Sequence, residues 1–179
     1  MRKKILWITE TAVMLALLVA VQGLTAGLGN QFITGSCVNL ILVVTALVVG
    51  LWGGAAVAAV SPFVAFLFGI GPKFIQLVPI VALGNLVLVL VYALVLKGKT
   101  KILWMQGITW IGAAIAKFLT LYLLMVKLVV PSLVAGGTLP QKAAAAMSVQ
   151  FGWPQLVTAL IGGAIALAIV PVLKKALKR

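Results

Sequence analysis

Six apolar stretches, at about 5–28, 35–51, 54–69, 74–96, 102–130 and 154–173, are long enough to cross a lipid bilayer as helices. A helix needs about 20 apolar residues to span the hydrocarbon core, and it satisfies its own backbone hydrogen bonds there. A water-soluble fold is excluded because 64% of the residues are hydrophobic and only 8% are charged. The sequence therefore predicts an all-α membrane bundle of six transmembrane helices, a single domain over residues 1–179.

Basic residues at the ends of these stretches indicate their orientation. The net charge is +13, and Glu10 is the only acid. With the N-terminus inside, ten of the fourteen basic residues face the cytoplasm, as the positive-inside rule requires. They lie at 2–4 (three), 97–101 (three) and 174–179 (four). A cationic chain can also bind nucleic acid, but these charges form no patch with interleaved aromatics. Both termini are predicted to be cytoplasmic, and no nucleic-acid partner is expected.

The first stretch has a rival interpretation as a cleaved secretory signal, because Lys3 and Lys4 precede an apolar run. Glu10 interrupts the front of that run, the run is long for a signal, and no small-residue cleavage site stands out over 21–29. A retained transmembrane helix is therefore favoured.

Two connections between spans carry further expectations. Spans 2 and 3 are predicted to be joined by a glycine-rich turn over 50–54. The longest non-helical candidate is 129–142, with a short Ala-rich helix after it at 143–147. Connections of this length are often functional, so this one is predicted either to lie as a lid over a pocket or to be a passive link.

Residue types needed for most enzyme chemistry are missing. Without His and with one acid, the chain cannot build a Ser-His-Asp triad, paired carboxylates or a zinc site. Gly98-Lys99-Thr100 matches the end of a phosphate-binding loop, but the first glycine of that motif is replaced by Ala93. The chain is therefore predicted not to be an enzyme and to hold no metal.

Polar side chains collect near the predicted outer ends of the spans, which favours an outward-opening pocket over loops that merely face water. The candidate ligand-binding residues are Asn30, Gln31, Asn39, Lys73, Gln76, Asn85, Lys117, Tyr122, Gln150 and Trp153. Lys117 lies ~20 Å from the inner end of span 5, where an unpaired charge is costly. It is expected either to face a hydrated cavity and bind an anionic or carbonyl-rich ligand, or to snorkel to the outer surface.

A stripe of small residues marks span 1. Ala12, Ala16 and Ala20 recur every four residues and so share one helix face. Small side chains let another membrane helix approach closely. This face is a candidate partner interface, although ordinary internal packing would produce the same pattern.

With these features, the whole chain resembles the S component, the substrate-binding membrane subunit, of an energy-coupling factor (ECF) vitamin transporter. The Ala12-xxx-Ala16-xxx-Ala20 stripe is similar to the Ala-xxx-Ala coupling motif of that family, and 152–163 resembles its sixth helix. The resemblance implies the capturing subunit of an ABC-type importer in a bacterial plasma membrane. Such a subunit binds a vitamin or related micronutrient from outside and docks through span 1 on a transmembrane coupling protein. Two cytoplasmic ATPases would use the ATP, so this chain would need no cofactor.

The basic residues of the predicted pocket restrict the charge of the ligand. Lys73, Lys117 and Lys127, with no acid in the predicted pocket, favour a neutral or anionic ligand, for which a carboxylate such as pantothenate or nicotinate would suit. A stand-alone channel or small transporter that oligomerises through Gly and Ala faces is the alternative. A membrane enzyme or assembly factor is disfavoured by the missing catalytic residue types.

Overall fold

A computed structural model describes residues 2–72, 74–99 and 102–177, and all regular structure in these ranges is helical. The α-helices are α1 (Arg2–Ala26), α2 (Gln31–Val48), α3 (Leu51–Leu67), α4 (Val78–Val95), α5 (Leu103–Leu121), α6 (Val130–Ala135), α7 (Gln141–Gln150) and α8 (Trp153–Ala176). A short 3-10 helix, Ile75–Leu77, precedes α4, and a π-helical segment, Tyr122–Val129, joins α5 to α6.

The apolar helices α1 to α4 and α8 correspond to predicted spans 1 to 4 and 6, with ends shifted by a few residues, and span 5 corresponds to α5 together with the π-helical segment. Within the described ranges, five helical segments have the length and composition to cross a membrane, and the apolar α3 is slightly shorter at 17 residues. The predicted all-helical fold is thus confirmed, with five to six helices suited to a membrane bundle.

The central helix of the bundle is α2, which contacts α1, α3, α4 and α8 and is buried without interruption over 41–47. Its most extensive partner is α8, and Gly162 is the reason the two can approach so closely. A Cβ atom at Gly162 would lie 2.5 Å from the carbonyl oxygen of Ser36 and 2.7 Å from Cβ of Asn39. The absent side chain therefore allows backbone-to-backbone packing, as small residues commonly do in membrane helices.

The glycine-rich turn predicted over 50–54 is wrong in extent. Gly50 alone adopts the left-handed conformation, with φ of +103°, and α3 begins at the next residue. Gly53 and Gly54 are buried within α3. A Cβ atom at Gly54 would lie 2.8 Å from Cγ1 of Val89 and 3.1 Å from Cα of Ala46, so this glycine serves helix packing rather than the turn.

The connection predicted to be non-helical over 129–142 is also mostly helical. The helix that begins as α5 continues through α6 to Ala135, and α7 begins at Gln141, so only 136–140 lie outside helices. Pro131 does not end the helix because it lies in the first turn of α6, directly after the wide π-helical turns. The helical hydrogen bonds continue up to this point, since the N–H of Val130 donates to the carbonyl oxygen of Met125.

The hairpin of α6 and α7 forms an apolar cluster of its own with the 3-10 helix and the end of α5. Its buried members are Leu77, Ile80, Leu121, Met125, Val130, Leu139, Ala144, Met147 and Phe151. This packing fixes α7 beside the end of the bundle at which α8 begins.

Candidate functional site

A buried lysine and two asparagines meet between three helices. Lys117 on α5 is 3% exposed, Asn39 on α2 is 1% exposed and Asn85 on α4 is 3% exposed. The ammonium group of Lys117 donates to Oδ1 of Asn39 at 2.5 Å and to Oδ1 of Asn85 at 2.8 Å. The side chain is therefore held inside the bundle by amide oxygens, and it does not extend to the outer surface.

The orientation of Asn39 is set by a fourth helix, α8. Its Nδ2 donates to Oγ1 of Thr158 on α8 at 3.3 Å, and this hydroxyl donates in turn to the carbonyl oxygen of Gln155 at 3.2 Å. Because Nδ2 is engaged by a hydroxyl, Oδ1 of Asn39 points to the lysine. A buried polar network of this kind is stable when each member has a partner.

A glycine next to Asn85 brings α4 and α5 together. A Cβ atom at Gly84 would lie 2.7 Å from both Cγ and Cδ2 of Leu121, one turn beyond Lys117 on α5. The close approach of the two helices places the ammonium group of Lys117 within reach of Asn85. The lysine uses two of its three N–H donors in these bonds, which leaves one for another acceptor.

A cavity of about 310 Å³ lies directly beside this cluster. It extends from the exposed residues Gly29, Asn30 and Gly71 to the buried Asn39, Asn85 and Lys117. Its walls come from the ends of α1, α3 and α7, the beginnings of α2, α4 and α8, and the C-terminal part of α5. Its volume is at the lower end of the range typical of small-molecule sites.

Six of the ten predicted ligand-binding residues line this cavity, namely Asn30, Gln31, Asn39, Asn85, Lys117 and Gln150. Asn30 also has a structural role, because its Oδ1 accepts a bond from the backbone N–H of Phe32 and caps α2. Contact of these residues with a ligand stays a prediction, but the fold brings them to one place from five parts of the chain.

Three other predicted residues lie away from the cavity. Gln76 is exposed in the 3-10 helix, and Trp153 is exposed with its ring 5.6 Å from that of Phe32. Tyr122 follows the cavity-lining Leu121 and is rotated about 100° from it on the helix, so its ring packs on Phe118 instead. Lys73 lies outside the described residues.

Gln22 on α1 also lines the cavity, although it is not among the residues predicted from the sequence. Its Oε1 atom is buried and has no hydrogen-bond partner among the described residues. An unsatisfied buried acceptor is costly, which makes it a natural recipient for a donor on a bound molecule. The available signal was one glutamine in an otherwise apolar run, two residues beyond the alanine stripe. Gln155 also lines the cavity, although the sequence indicated only that it was polar.

The end of α7 forms one wall of the cavity. Nε2 of Gln31 donates to the carbonyl oxygen of Gln150 at 2.5 Å, and Nε2 of Gln155 donates to the same oxygen at 3.2 Å. The adjacent Phe151 is buried and lines the cavity while it packs in the apolar cluster of the hairpin. Of the 129–153 connection, Gln150 and Phe151 line the cavity, and its role as a lid stays a prediction.

The alanine stripe lies on the surface of the bundle. Ala12, Ala16 and Ala20 are exposed, whereas Leu18 on another face of α1 is fully buried. Only 6% of the most apolar part of α1 is buried, the lowest value among the spanning segments. Internal packing therefore does not account for the stripe.

The cavity offers hydrogen-bond donors, acceptors and one cation rather than a reactive centre. Within residues 2–72, 74–99 and 102–177, no group of His, Cys, Asp or Glu side chains comes together that could hold a metal ion. The arrangement is suited to binding a small polar molecule.

Comparison with known proteins places the chain in one family. The family described as "ECF transporter, substrate-specific component" matches residues 8–174. No curated protein and no solved structure matches the chain significantly.

Proposed function

The chain belongs to the family of ECF transporter substrate-specific components, and from that premise we propose that it captures a small micronutrient in the cavity beside Lys117. The observation that carries the proposal is the buried cluster of Lys117, Asn39 and Asn85 at the inner end of the cavity. Burial of a cation inside a membrane bundle is costly and usually marks a functional site.

The chemistry of the cavity defines the ligand. The third N–H of Lys117 supports an acceptor, either a carboxylate or a carbonyl oxygen, at the deep end. The unpartnered Oε1 of Gln22 supports an O–H or N–H donor elsewhere on the same molecule. No acidic residue lines the cavity, so a cationic ligand would meet an uncompensated positive charge.

The volume of the cavity further restricts the candidate ligands. A cavity of about 310 Å³ suits a compact molecule and is small for a corrinoid or for an extended multi-ring ligand. A water-soluble vitamin-like carboxylate with a hydroxyl or amide donor, of which pantothenate is one example, fits these requirements. Nicotinate fits the charge and the size but has no donor on its carboxylate form.

Delivery would require a separate transmembrane coupling protein and two cytoplasmic ATPases. The exposed stripe of Ala12, Ala16 and Ala20 on α1 supports docking on the coupling protein, because a face without large side chains lets a partner helix approach closely and slide. ATP would be used by the ATPases, so this chain itself would need no cofactor.

In this proposal the protein lies in a bacterial plasma membrane with the cavity end outside. The lysines at 97–99 and 174–175 then lie at the cytoplasmic end with both termini, in keeping with the positive-inside rule.

The proposal is tested by measuring uptake in proteoliposomes that contain this chain with or without an ECF coupling protein and its ATPases. ATP-dependent uptake of a stabilising vitamin is expected only when all components are present. Uptake by the chain alone would contradict the proposal that separate proteins drive transport, and it would favour a stand-alone transporter.

A further inference from the structure

A second cavity lies at the opposite end of the bundle, where α1 begins and α8 ends. Its volume is about 490 Å³, and its polar lining consists of Trp7, Trp52, Lys97 and Lys174. The rest of the lining is aliphatic side chains and the turns that follow α2 and α4. Among the described residues no acid lines this groove; Glu10, the only acid of the chain, is not part of it.

Helix ends hold the two lysines in the groove. Lys97 follows the buried Leu96, at the end of α4, and the chain then reverses at Gly98, whose φ is +69°. The N–H of Lys99 donates to the carbonyl oxygen of Leu96 at 3.0 Å and closes this turn. Lys174 lies half-buried in the last turn of α8. Cations near helix C-termini are stabilised by the helix dipole, but the dipole does not explain why both line one cavity.

Two tryptophans line the same cavity as the lysines. Trp7 on α1 is 39% exposed and Trp52 at the start of α3 is 77% exposed. Indole rings prefer the depth of lipid headgroups, because one edge is polar and the ring is apolar. In the proposed orientation, the groove therefore combines two cationic groups and two indole rings at the cytoplasmic end of the bundle with an aliphatic lining.

We infer that this groove binds the anionic headgroup of a membrane phospholipid, with Lys97 and Lys174 on the phosphate and the two tryptophans beside the glycerol region. Basic pockets between membrane helices are suited to such headgroups. A zwitterionic headgroup is a weaker match, because its ammonium group would face two lysines with no acid in the groove. The site is remote from the ligand cavity and does not depend on what that cavity binds.

The test compares lipid binding by the detergent-purified full chain and by the double variant K97Q/K174Q. Binding of phosphatidylglycerol and of phosphatidylcholine is measured by native mass spectrometry over a lipid titration. The double variant is expected to bind phosphatidylglycerol about thirtyfold more weakly, since each lysine near a lipid headgroup contributes roughly a fivefold effect. Binding of phosphatidylcholine is expected to be weak and the same in both proteins.

A matched control removes the same charge elsewhere. K127Q/K142Q changes two exposed lysines outside the groove and is expected to leave phosphatidylglycerol binding unchanged. Equal weakening in both double variants would overturn the site, because net charge alone would then explain the binding. Equal affinity for the two lipids would overturn it as well.

Two further measurements complete the test. If inorganic phosphate at millimolar concentration competed fully with phosphatidylglycerol, the assignment to a lipid would be wrong and the site would bind free phosphate. If the double variant did not fold, K97Q alone would take its place, because Lys97 is exposed and its replacement removes no buried contact. Unchanged binding by a folded K97Q would also contradict the inference.

Discussion

Replacing Lys117 by methionine removes the buried ammonium group but keeps an unbranched side chain of similar length. In the wild-type protein this group has one N–H donor available beyond its bonds to Asn39 and Asn85. A hydrogen bond to a charged group contributes about 1.5–3 kcal/mol. Loss of that bond from a carboxylate ligand therefore weakens binding by about 10- to 150-fold.

The stability of the ligand-free protein should change much less. The substitution leaves Oδ1 of Asn39 and Oδ1 of Asn85 without the lysine donor, which costs about 1–3 kcal/mol for each group. It also removes the cost of keeping a charge out of water, which is several kcal/mol for a buried ion. The two effects oppose each other, so a large loss of affinity should accompany a small shift in Tm.

Lys127→Met is the matched control. Lys127 is exposed, with Nζ 5.4 Å from the centroid of the Tyr122 ring, and it lies outside the cavity. Isothermal titration of both variants with the vitamin that most stabilises the wild-type protein should show weak binding for Lys117→Met and unchanged binding for Lys127→Met. Wild-type affinity in Lys117→Met, with normal folding, would refute the role assigned to the buried lysine.

Three further substitutions test other parts of the structure. Ala16→Trp should preserve ligand binding by the isolated chain and abolish uptake with the coupling module, since Ala16 is exposed and does not line the cavity. Equal loss of both would indicate misfolding. Gly162→Ala should lower the free energy of unfolding by about 1–3 kcal/mol, because its Cβ would meet the Ser36 carbonyl oxygen at 2.5 Å. The control Gly112→Ala adds a Cβ in open space and should not destabilise the protein. Equal Tm values for the two variants would contradict the packing argument. Gln22→Leu should weaken binding of a donor-bearing ligand by about 1 kcal/mol or more without lowering the Tm, and unchanged affinity measured by titration would exclude a bond to Oε1.

Much of the membrane fold could be predicted from the sequence because it depends on strong local signals. Long apolar runs bounded by lysine or glycine gave the helices, since an isolated helix in lipid must satisfy its own backbone. The same logic identified Asn39, Asn85 and Lys117, because polar groups inside apolar spans are costly unless they share partners.

Other features depend on helix rotation and tertiary packing, which one sequence does not specify. Residue type and position along a span favour Tyr122 and Trp153 as ligand contacts, but neither residue lines the cavity. Gln22 was missed because one glutamine in a long apolar run gives no indication of which face it occupies. The sequence does not predict that α6 is helical, because proline and glycine usually end helices and Pro131 is followed by two glycines. In the structure Pro131 lies at the start of α6 and does not end the helix.

The measurement that tests ligand capture most directly is a thermal-shift screen of the detergent-purified single chain, beside Lys117→Met, against pantothenate, nicotinate, biotin, thiamine and riboflavin. One carboxylate is expected to raise the Tm of the wild-type protein at micromolar concentration, because a ligand bound only by the folded state stabilises it by mass action. The same compound should give little or no shift with Lys117→Met. An equal shift in both proteins would place binding away from the lysine, and no shift for any carboxylate even at millimolar concentration would contradict capture of such a ligand in this cavity.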